Sequence, residues 1–376
     1  MSEKVTIATV ARRARVSRQT VSNVLNAPHM VREETRERVR EAIVALGYRA
    51  NQAARQMRTG RSRLIAVRIE PTRDGVNGSV LDRFLHGLTE AADSAGYRVM
   101  LYTAADARAE IDAYDSLLGA YDLDAFVLTG TDHGDARTAW LAERDVPFVT
   151  FGRPWDNPAD TASRHRAAIP AAHPWVDVDG ASGVAQATQR LLDTGHRRIG
   201  FLGWPAGSGV GDDRRSGWVT ALRSAGLDPT GLDRAAPDGF AQGEAAARDL
   251  LAAAEPPTAI VCASDSLALG ALQAVRAPGG WPISTGGGPE VAITGFDDTP
   301  VAQAIGLTSV SQPLAQAAAC CMDLLADVLD GGRRGTANGR HGPDPNPDGG
   351  AARTGGTPDG PDQVLLRPSL VVRQSG

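Results

Sequence analysis

The chain is poor in the residues that staple or anchor a protein. Its 376 residues include three cysteines, Cys262, Cys320 and Cys321. An odd number without C-x-x-C pairing excludes a disulfide framework and suggests no thiolate metal site. A reducing, cytoplasmic setting fits that usage. No apolar run nears the ~20 residues that cross a bilayer, and Met1 to Val10 has no hydrophobic signal core, so neither membrane insertion nor secretion is expected. Enzyme signatures are missing too: there is no phosphate loop, no H-E-x-x-H, no nucleophile elbow and no G-x-G-x-x-G directly after a strand pattern. Neither an enzyme nor a cofactor nor a metal is expected.

What is there is length for two or three domains, and charge that is unevenly spread. The net charge is -5, but residues 1–63 carry 14 Lys+Arg against 5 Glu, a balance of +9, while the rest carries 25 against 39, a balance of -14. A basic head on an acidic body points to a polyanion as the partner of the head. A disordered basic arm would share that charge but not the periodicity. Val10, Ala11 and Ala14, then Val21, Val24 and Leu25, then Val39, Ile43 and Leu46 recur at helical spacing and predict three short amphipathic helices. Thr6 and Ser17 stand at N-cap positions and Gly47 at a C-terminal stop. The first two helices, joined across Arg15-Val16-Ser17, read as a helix-turn-helix.

The second helix of that motif enters the major groove with its N-terminal side chains against base edges. Arg18 suits guanine, Gln19 and Asn23 suit adenine, and Ser17, Thr20, Ser22 and Asn26 are short polar groups suited to phosphates. Singly, each fits a solvated helix position; together, in a +9 segment, they point to duplex DNA.

From Leu64 short apolar runs alternate with amphipathic stretches. Strands are predicted at 64–69, 98–103, 125–129 and 148–151, then at 198–203, 259–263 and 291–296. Helices are predicted near 82–95, 110–119, 181–194, 214–225, 241–253, 266–276 and 313–329. The alternation predicts parallel sheets covered on both faces, in two lobes with a ligand cleft at the strands' carboxyl ends. Asp297 and Asp298 adjoin at a strand end and point to opposite faces, which does not make an acid–base pair; one facing a ligand, or turn and cap duty, remain open. His196, after the helix-ending Gly195, reads as part of a basic helix terminus rather than as a base.

The run Val5-Thr6-Ile7-Ala8-Thr9-Val10-Ala11-Arg12-Arg13-Ala14-Arg15-Val16-Ser17-Arg18-Gln19-Thr20-Val21-Ser22-Asn23-Val24-Leu25-Asn26 resembles the headpiece of the lactose-repressor (LacI/GalR) family of bacterial transcription regulators. The likeness continues through Thr35 to Val39 and Ala45 to Tyr48 into Asn51 to Gly60, where the family has its hinge helix. It resumes in the body at Asp179-Gly180-Ala181, Gly195 to Ile199, Arg214 to Trp218, Ala263 to Gly270, Gly295 to Asp298 and Leu366 to Arg373. Arg15 stands where a turn glycine is usual, Arg32 where a serine cap is, and Met57 where leucine is commonest.

The resemblance implies an α/β protein: an N-terminal all-α helix-turn-helix headpiece (1–50), a hinge helix and linker (51–62), and a periplasmic-binding-protein-like core of two doubly wound parallel-sheet lobes (63–376). The N-lobe would span about 63–153 plus part of 300–330, and the C-lobe about 177–297 plus the C-terminal strand. Residues 277–290 and 331–363, rich in glycine and proline, cannot repay ordering entropy, and the second tract is expected to be a disordered loop. A hinge helix of about eight residues lies below the ~12–15 at which isolated helices are even marginal, so it needs a partner to fold.

The resemblance supplies that partner as a second hinge helix in the minor groove, with Met57 the wedge, Arg55 a phosphate or groove contact, and Asn51 and Ala54 beside them. It further implies a homodimer on a pseudo-palindromic operator, released by a small molecule of the sugar type bound between the lobes by Arg214 and Asp297 with Arg153 and Ser264. Gly152-Arg153 stands where Asp-Arg is frequent, Ser264 where Asn is frequent, and the usual aromatic platform near Val80-Leu81 is absent. Trp155, Trp204 or Trp218 are alternatives to it. No C-terminal leucine heptad is visible, which leaves dimer or tetramer open. The alternative reading is a sugar-binding protein or sugar-modifying enzyme with an incidental basic head. It would lack steep salt dependence on DNA.

Overall fold

The computed structural model describes residues 5–48, 60–69, 76, 78–155, 173–275, 291–336 and 362–376. Two units separate at Arg63.

In the first unit, α1 (Ile7–Ala14), α2 (Arg18–Asn26) and α3 (Glu33–Leu46) enclose a small core of Val10, Ala11, Ala14, Val21, Val24, Val39 and Ala42. Each stop has a local cause. Arg15 ends α1 in a left-handed conformation (φ 54°, ψ 47°), and Gly47 ends α3 likewise at φ 60°. Glycine takes that conformation freely, whereas for arginine it costs about 1 kcal/mol. Ser17 caps α2 by accepting from the Thr20 N–H at 3.0 Å. Arg32 begins α3 without a side-chain cap, and Glu33 and Glu34 supply the first turn with negative charge instead.

The second unit contains two six-stranded sheets. In the N-lobe, β1 (Leu64–Ile69), β2 (Arg98–Thr103), β3 (Ala125–Thr129), β4 (Phe148–Phe151), β5 (Trp175–Val178) and β11 (Gln363–Leu366) lie side by side in the order β11-β5-β4-β3-β1-β2, all parallel. In the C-lobe, β6 (Ile199–Gly203), β7 (Asp233–Ala235), β8 (Ala259–Cys262), β9 (Ala292–Phe296), β10 (Thr308–Ser311) and β12 (Ser369–Val371) lie in the order β12-β10-β9-β8-β6-β7. There only the β10·β12 pair is antiparallel. Both orders reverse direction beside the lobe's first strand, the place at which open α/β sheets bind ligands.

Strand alternation sends Ile65 and Val67 to one face, where α4 (Gly78–Ser94) and α12 (Leu314–Thr336) pack through Phe84, Leu88, Ala317 and Ala318. Ala66 faces the other side, under α5 (Ala107–Tyr121) and α6 (Ala136–Glu143), with Tyr114, Phe126 and Leu141. Arg68, on that same face, meets a closed polar network. Glu110, fully buried, accepts from Tyr102 Oη (2.8 Å), Tyr114 Oη (3.0 Å) and Arg137 Nη1 (2.9 Å), and its Oε2 lies 3.0 Å from Arg68 Nε. The C-lobe is built around a single core that includes Leu191, Phe201, Trp218, Ile260 and Phe296, with α7 (Gly180–Asp193), α8 (Val210–Ser224), α9 (Phe240–Leu251), α10 (Asp265–Ala274) and α11 (Pro300–Ala304) on its sheet.

Several expectations need correction. β5 belongs to the N-lobe sheet, so that lobe does not end near 153 and the C-lobe does not begin inside β5. Its four residues, Trp175-Val176-Asp177-Val178, are too few and carry too mixed a pattern to show as a strand before the sheet is formed. The C-terminal segment is two strands in two lobes, because Pro368 lacks an N–H and restricts Arg367, breaking the ladder between them. The expected loop 331–363 is helical to Thr336 and a strand from Gln363. The rest of that tract, and 277–290, lie outside the described residues.

Candidate functional site

On the first unit the readers named from sequence fall on and around α2. Arg18, Gln19, Ser17 and Asn26 are exposed, and Thr20, Ser22 and Asn23 are half-buried. The side chains also bond one another: Gln19 Nε2 donates to Asn23 Oδ1 at 2.9 Å, and Asn26 Nδ2 donates to the Ser22 carbonyl at 2.6 Å. Thr6 stands at the N-cap of α1, with its N–H donating to Thr9 Oγ1 at 3.4 Å. A capped helix start with an exposed arginine in its first turn offers N–H groups and positive charge to phosphates. Asn51, Ala54, Arg55 and Met57 lie outside the described residues.

In the second unit Arg214, Asp297, Arg153 and Ser264 gather at the carboxyl ends of the strands, between the lobes. Arg214 is carried by α8, which lies close against the start of α7: a Cβ on Gly217 would strike the Ala181 carbonyl, so only glycine allows the approach that brings in Arg214. Its Nη1 donates to the Ala263 carbonyl at 2.5 Å. Its carbon Cζ lies 3.7 Å from the Phe296 ring centre and 5.1 Å from that of Trp204. Nη2 is 3.9 Å from Asp297 Oδ1, and Nε is buried without a hydrogen-bond partner. Asp297 Oδ1 accepts from Gln312 Nε2 at 2.7 Å.

Burial dominates this pair. It pushes the Asp297 carboxyl up to about 7 although the Arg214 charge pulls the other way, and it pushes the Arg214 guanidinium down. At 3.9 Å without a direct hydrogen bond, attraction does not offset desolvation. The backbone is strained as well: Asp297 and Asp298 both have positive φ, 109° and 47°, each costing about 1–3 kcal/mol. Their carboxylates diverge, Asp298 accepting from Arg373 Nη2 at 2.6 Å.

Arg153 Nε donates to Asp177 Oδ2 at 2.6 Å, and its Nη2 reaches Asp213 Oδ2 of α8 at 3.3 Å. Asp213 is held above the usual carboxylate range by burial, opposed by Arg153. Trp155 lies flat on Gly209, where no side chain would fit and φ is +57°. Among the described residues, the indole N–H groups of Trp155 and Trp204 are buried without hydrogen-bond partners. Trp218, by contrast, is a core residue stacked on Phe201 and bonded to the Ile199 carbonyl. Ser264 caps α10 and donates to Asp238 Oδ1 at 2.5 Å.

Unmet donors beside carboxyl groups suit a neutral polyhydroxylated molecule, whose hydroxyls accept and donate at once; the carboxylates of Asp177 and Asp238 disfavour an anion. Sequence reasoning missed Asp177, Asp213, Asp238 and Gln312. Asp238, next to a glycine before a helix, carries an ordinary cap signal, and Gln312 follows a strand too short to stand out.

Residues 79–318 match the family described as periplasmic binding proteins and sugar binding domain of LacI family, and residues 6–51 match that of bacterial regulatory proteins, lacI family. The HTH-type transcriptional regulator CelR of Thermobifida fusca is 33% identical over 87% of this chain and 92% of its own. Among solved structures, a transcriptional regulator CelR–cellobiose complex is 28% identical (TM-score 0.64), covering 99% of this chain and 100% of that one. A lac repressor dimer bound to operator and the anti-inducer ONPF is 24% identical (TM-score 0.73), covering 99% of each, which is a likeness of fold.

Proposed function

The chain belongs to the lacI family of bacterial regulatory proteins and is a DNA-binding transcriptional regulator; from that premise we propose that it is a homodimeric repressor released from a pseudo-palindromic operator by a sugar. Two headpieces read the half-sites through Arg18, Gln19 and Asn23, with Asn51, Ala54, Arg55 and Met57 at the hinge. The sugar enters the cleft of the core, where Arg214 donates to its hydroxyls, Asp297 accepts from them, and Arg153 and the Ser264–Asp238 pair flank it. The observation that carries the reading is Arg214: a buried guanidinium whose Nε has no hydrogen-bond partner among the described residues, beside two aromatic rings and facing a carboxylate it does not bond. A fold keeps such a group when a ligand completes it.

Release requires only that the sugar prefer one state of the protein. Moving a population from 1:99 to 99:1 takes ~5.5 kcal/mol of differential affinity. The test is footprinting of DNA around the protein's own coding region, with a panel of mono- and disaccharides that includes the cellobiose of the CelR complex. A symmetric protected site lost on adding one saccharide is expected. Absence of a symmetric site, or an Arg214→Ala variant that still responds, overturns the reading.

A further inference from the structure

The lobes are joined by more than the crossings of the chain. Arg83, on the N-lobe helix α4, reaches the C-lobe turn after β9: its Nη2 donates to the Asp297 carbonyl at 2.6 Å, and its Nη1 lies 3.5 Å from the Asp298 carbonyl. Its Nε is buried with no hydrogen-bond partner, so the guanidinium engages the turn through its two terminal nitrogens. Backbone carbonyls are the acceptors, which makes the contact sensitive to the conformation of the turn rather than to its side chains.

That turn is the strained one. Asp297 and Asp298 take positive φ in succession, with the Asp297 N–H donating to the Val310 carbonyl at 2.7 Å and the Asp298 N–H to Ser309 Oγ at 3.0 Å. The surroundings hold it there: Gln312 on the Asp297 carboxylate, Arg373 and Gln303 on that of Asp298, Arg83 on the carbonyls. Gln312 lies just ahead of α12, which shares a core with α4. A backbone held away from its preferred dihedrals by several contacts relaxes when one of those contacts changes, and a change of dihedral there would swing a carbonyl off the guanidinium.

We propose that Arg83 is a positioning residue that ties the Asp297–Asp298 turn to α4, so that a ligand drawing on the Asp297 carboxylate re-sets the turn and moves the N-lobe through Arg83. The proposal rests on the reading of the cleft as the sugar site. Asp297 contacts the ligand; Arg83 passes the event on.

The test uses the full chain with Arg83→Met, which keeps the packing and removes the donors, and Arg83→Lys, which keeps one donor. In the absence of sugar, amide hydrogen exchange at Asp297 and Asp298 should rise about tenfold in Arg83→Met, return most of the way in Arg83→Lys, and stay unchanged in β6 and β8. Unchanged exchange at the turn in Arg83→Met overturns the tie. With the saccharide that releases the wild-type protein, Arg83→Met should keep sugar affinity within about threefold, read by tryptophan fluorescence. The ratio of operator affinities without and with sugar should shrink about tenfold. A wild-type ratio overturns the coupling, and so does collapse of sugar affinity, which would make Arg83 a scaffold for Asp297. If no saccharide moves the wild-type protein, the sugar reading fails, and the exchange measurement still decides the tie.

Discussion

Replacing Asp297 with asparagine is expected to silence the core's response to sugar and to make its stability, relative to wild type, rise with pH. Burial raises the Asp297 carboxyl to about 7, against the pull of Arg214, whereas the same group in the unfolded chain titrates near ~3.9. A carboxyl with a raised folded pKa contributes its stability in full below the unfolded value and loses it as pH rises through the folded one. At 1.36 kcal/mol per unit the loss totals about 4 kcal/mol, of which about 3 kcal/mol falls between pH 5 and pH 8. Asparagine does not titrate and keeps an oxygen for Gln312. The stability of Asp297→Asn relative to wild type should therefore rise by about 3 kcal/mol from pH 5 to pH 8, whatever its sign at pH 5. Urea unfolding followed by tryptophan fluorescence measures this difference for the core alone, because the six tryptophans all lie between Trp140 and Trp281. A difference independent of pH, or one that falls as pH rises, would refute the claim that Asp297 is held protonated by desolvation.

Three further substitutions test other parts of the molecule. Arg18→Ala should relax specificity at one base pair by about 1–3 kcal/mol, measured by competition between operator variants; equal losses on operator and random DNA would count against direct readout. Arg15→Gly removes a left-handed arginine from the turn between α1 and α2, for a net gain of about 0.5 kcal/mol after the extra freedom of glycine in the unfolded chain. Slower amide exchange in α1 and α2 would register it, and faster exchange would contradict it. Glu110→Gln removes the charge that faces Arg68 and Arg137 in the N-lobe and should cost the core about 3–5 kcal/mol in urea unfolding. A cost below ~1 kcal/mol would mean that Asp135 and the carbonyls suffice for Arg137 without the Glu110 charge.

The headpiece was legible because its apolar residues fall at helical spacing and its caps are local: Ser17 and Gly47 act on their own helices. The seven strands expected in the body appear because continuously apolar, buried runs such as Ala125–Leu128 and Ala259–Cys262 announce themselves. Elements whose identity depends on neighbours were not legible. β5, β7, β10 and β11 have three or four residues each and are strands because neighbouring strands pair with them, β7 and β11 at sheet edges and β5 and β10 one place in. In the cleft, Arg214, Asp297, Arg153 and Ser264 were named from the family likeness, not from spacing, since residues from 153 to 297 meet only once the sheets form. Arg83 had no signal at all: an arginine in an amphipathic helix looks solvated until its carbonyl partners, more than 200 residues later, are in place.

The two groups of buried charge show why the cleft, and not burial itself, marks function. In the N-lobe network Arg137 Nε donates to Asp135, Nη1 to Glu110 and the Thr129 carbonyl, and Nη2 to Asp135 and the Gly130 carbonyl. Every nitrogen has a partner, and the network holds α5 and α6 to the sheet. Around the cleft Arg83 Nε, Arg214 Nε and the indole N–H groups of Trp155 and Trp204 have none, two aspartates in succession carry positive φ, and a carboxyl is raised to about 7. One sequence thus packs arginines well in one place and leaves donors unmet in another. Among the described residues, buried polar atoms without a hydrogen-bond partner also occur at Arg190, Ser266 and Thr294, so what sets the cleft apart is the conjunction there of unmet donors, strained backbone and a raised carboxyl, which hydroxyl groups could satisfy together. On the proposed reading, Asp297→Asn should gain on the wild type as pH rises and lose its response, because the titrating group it removes is the one the ligand would draw on.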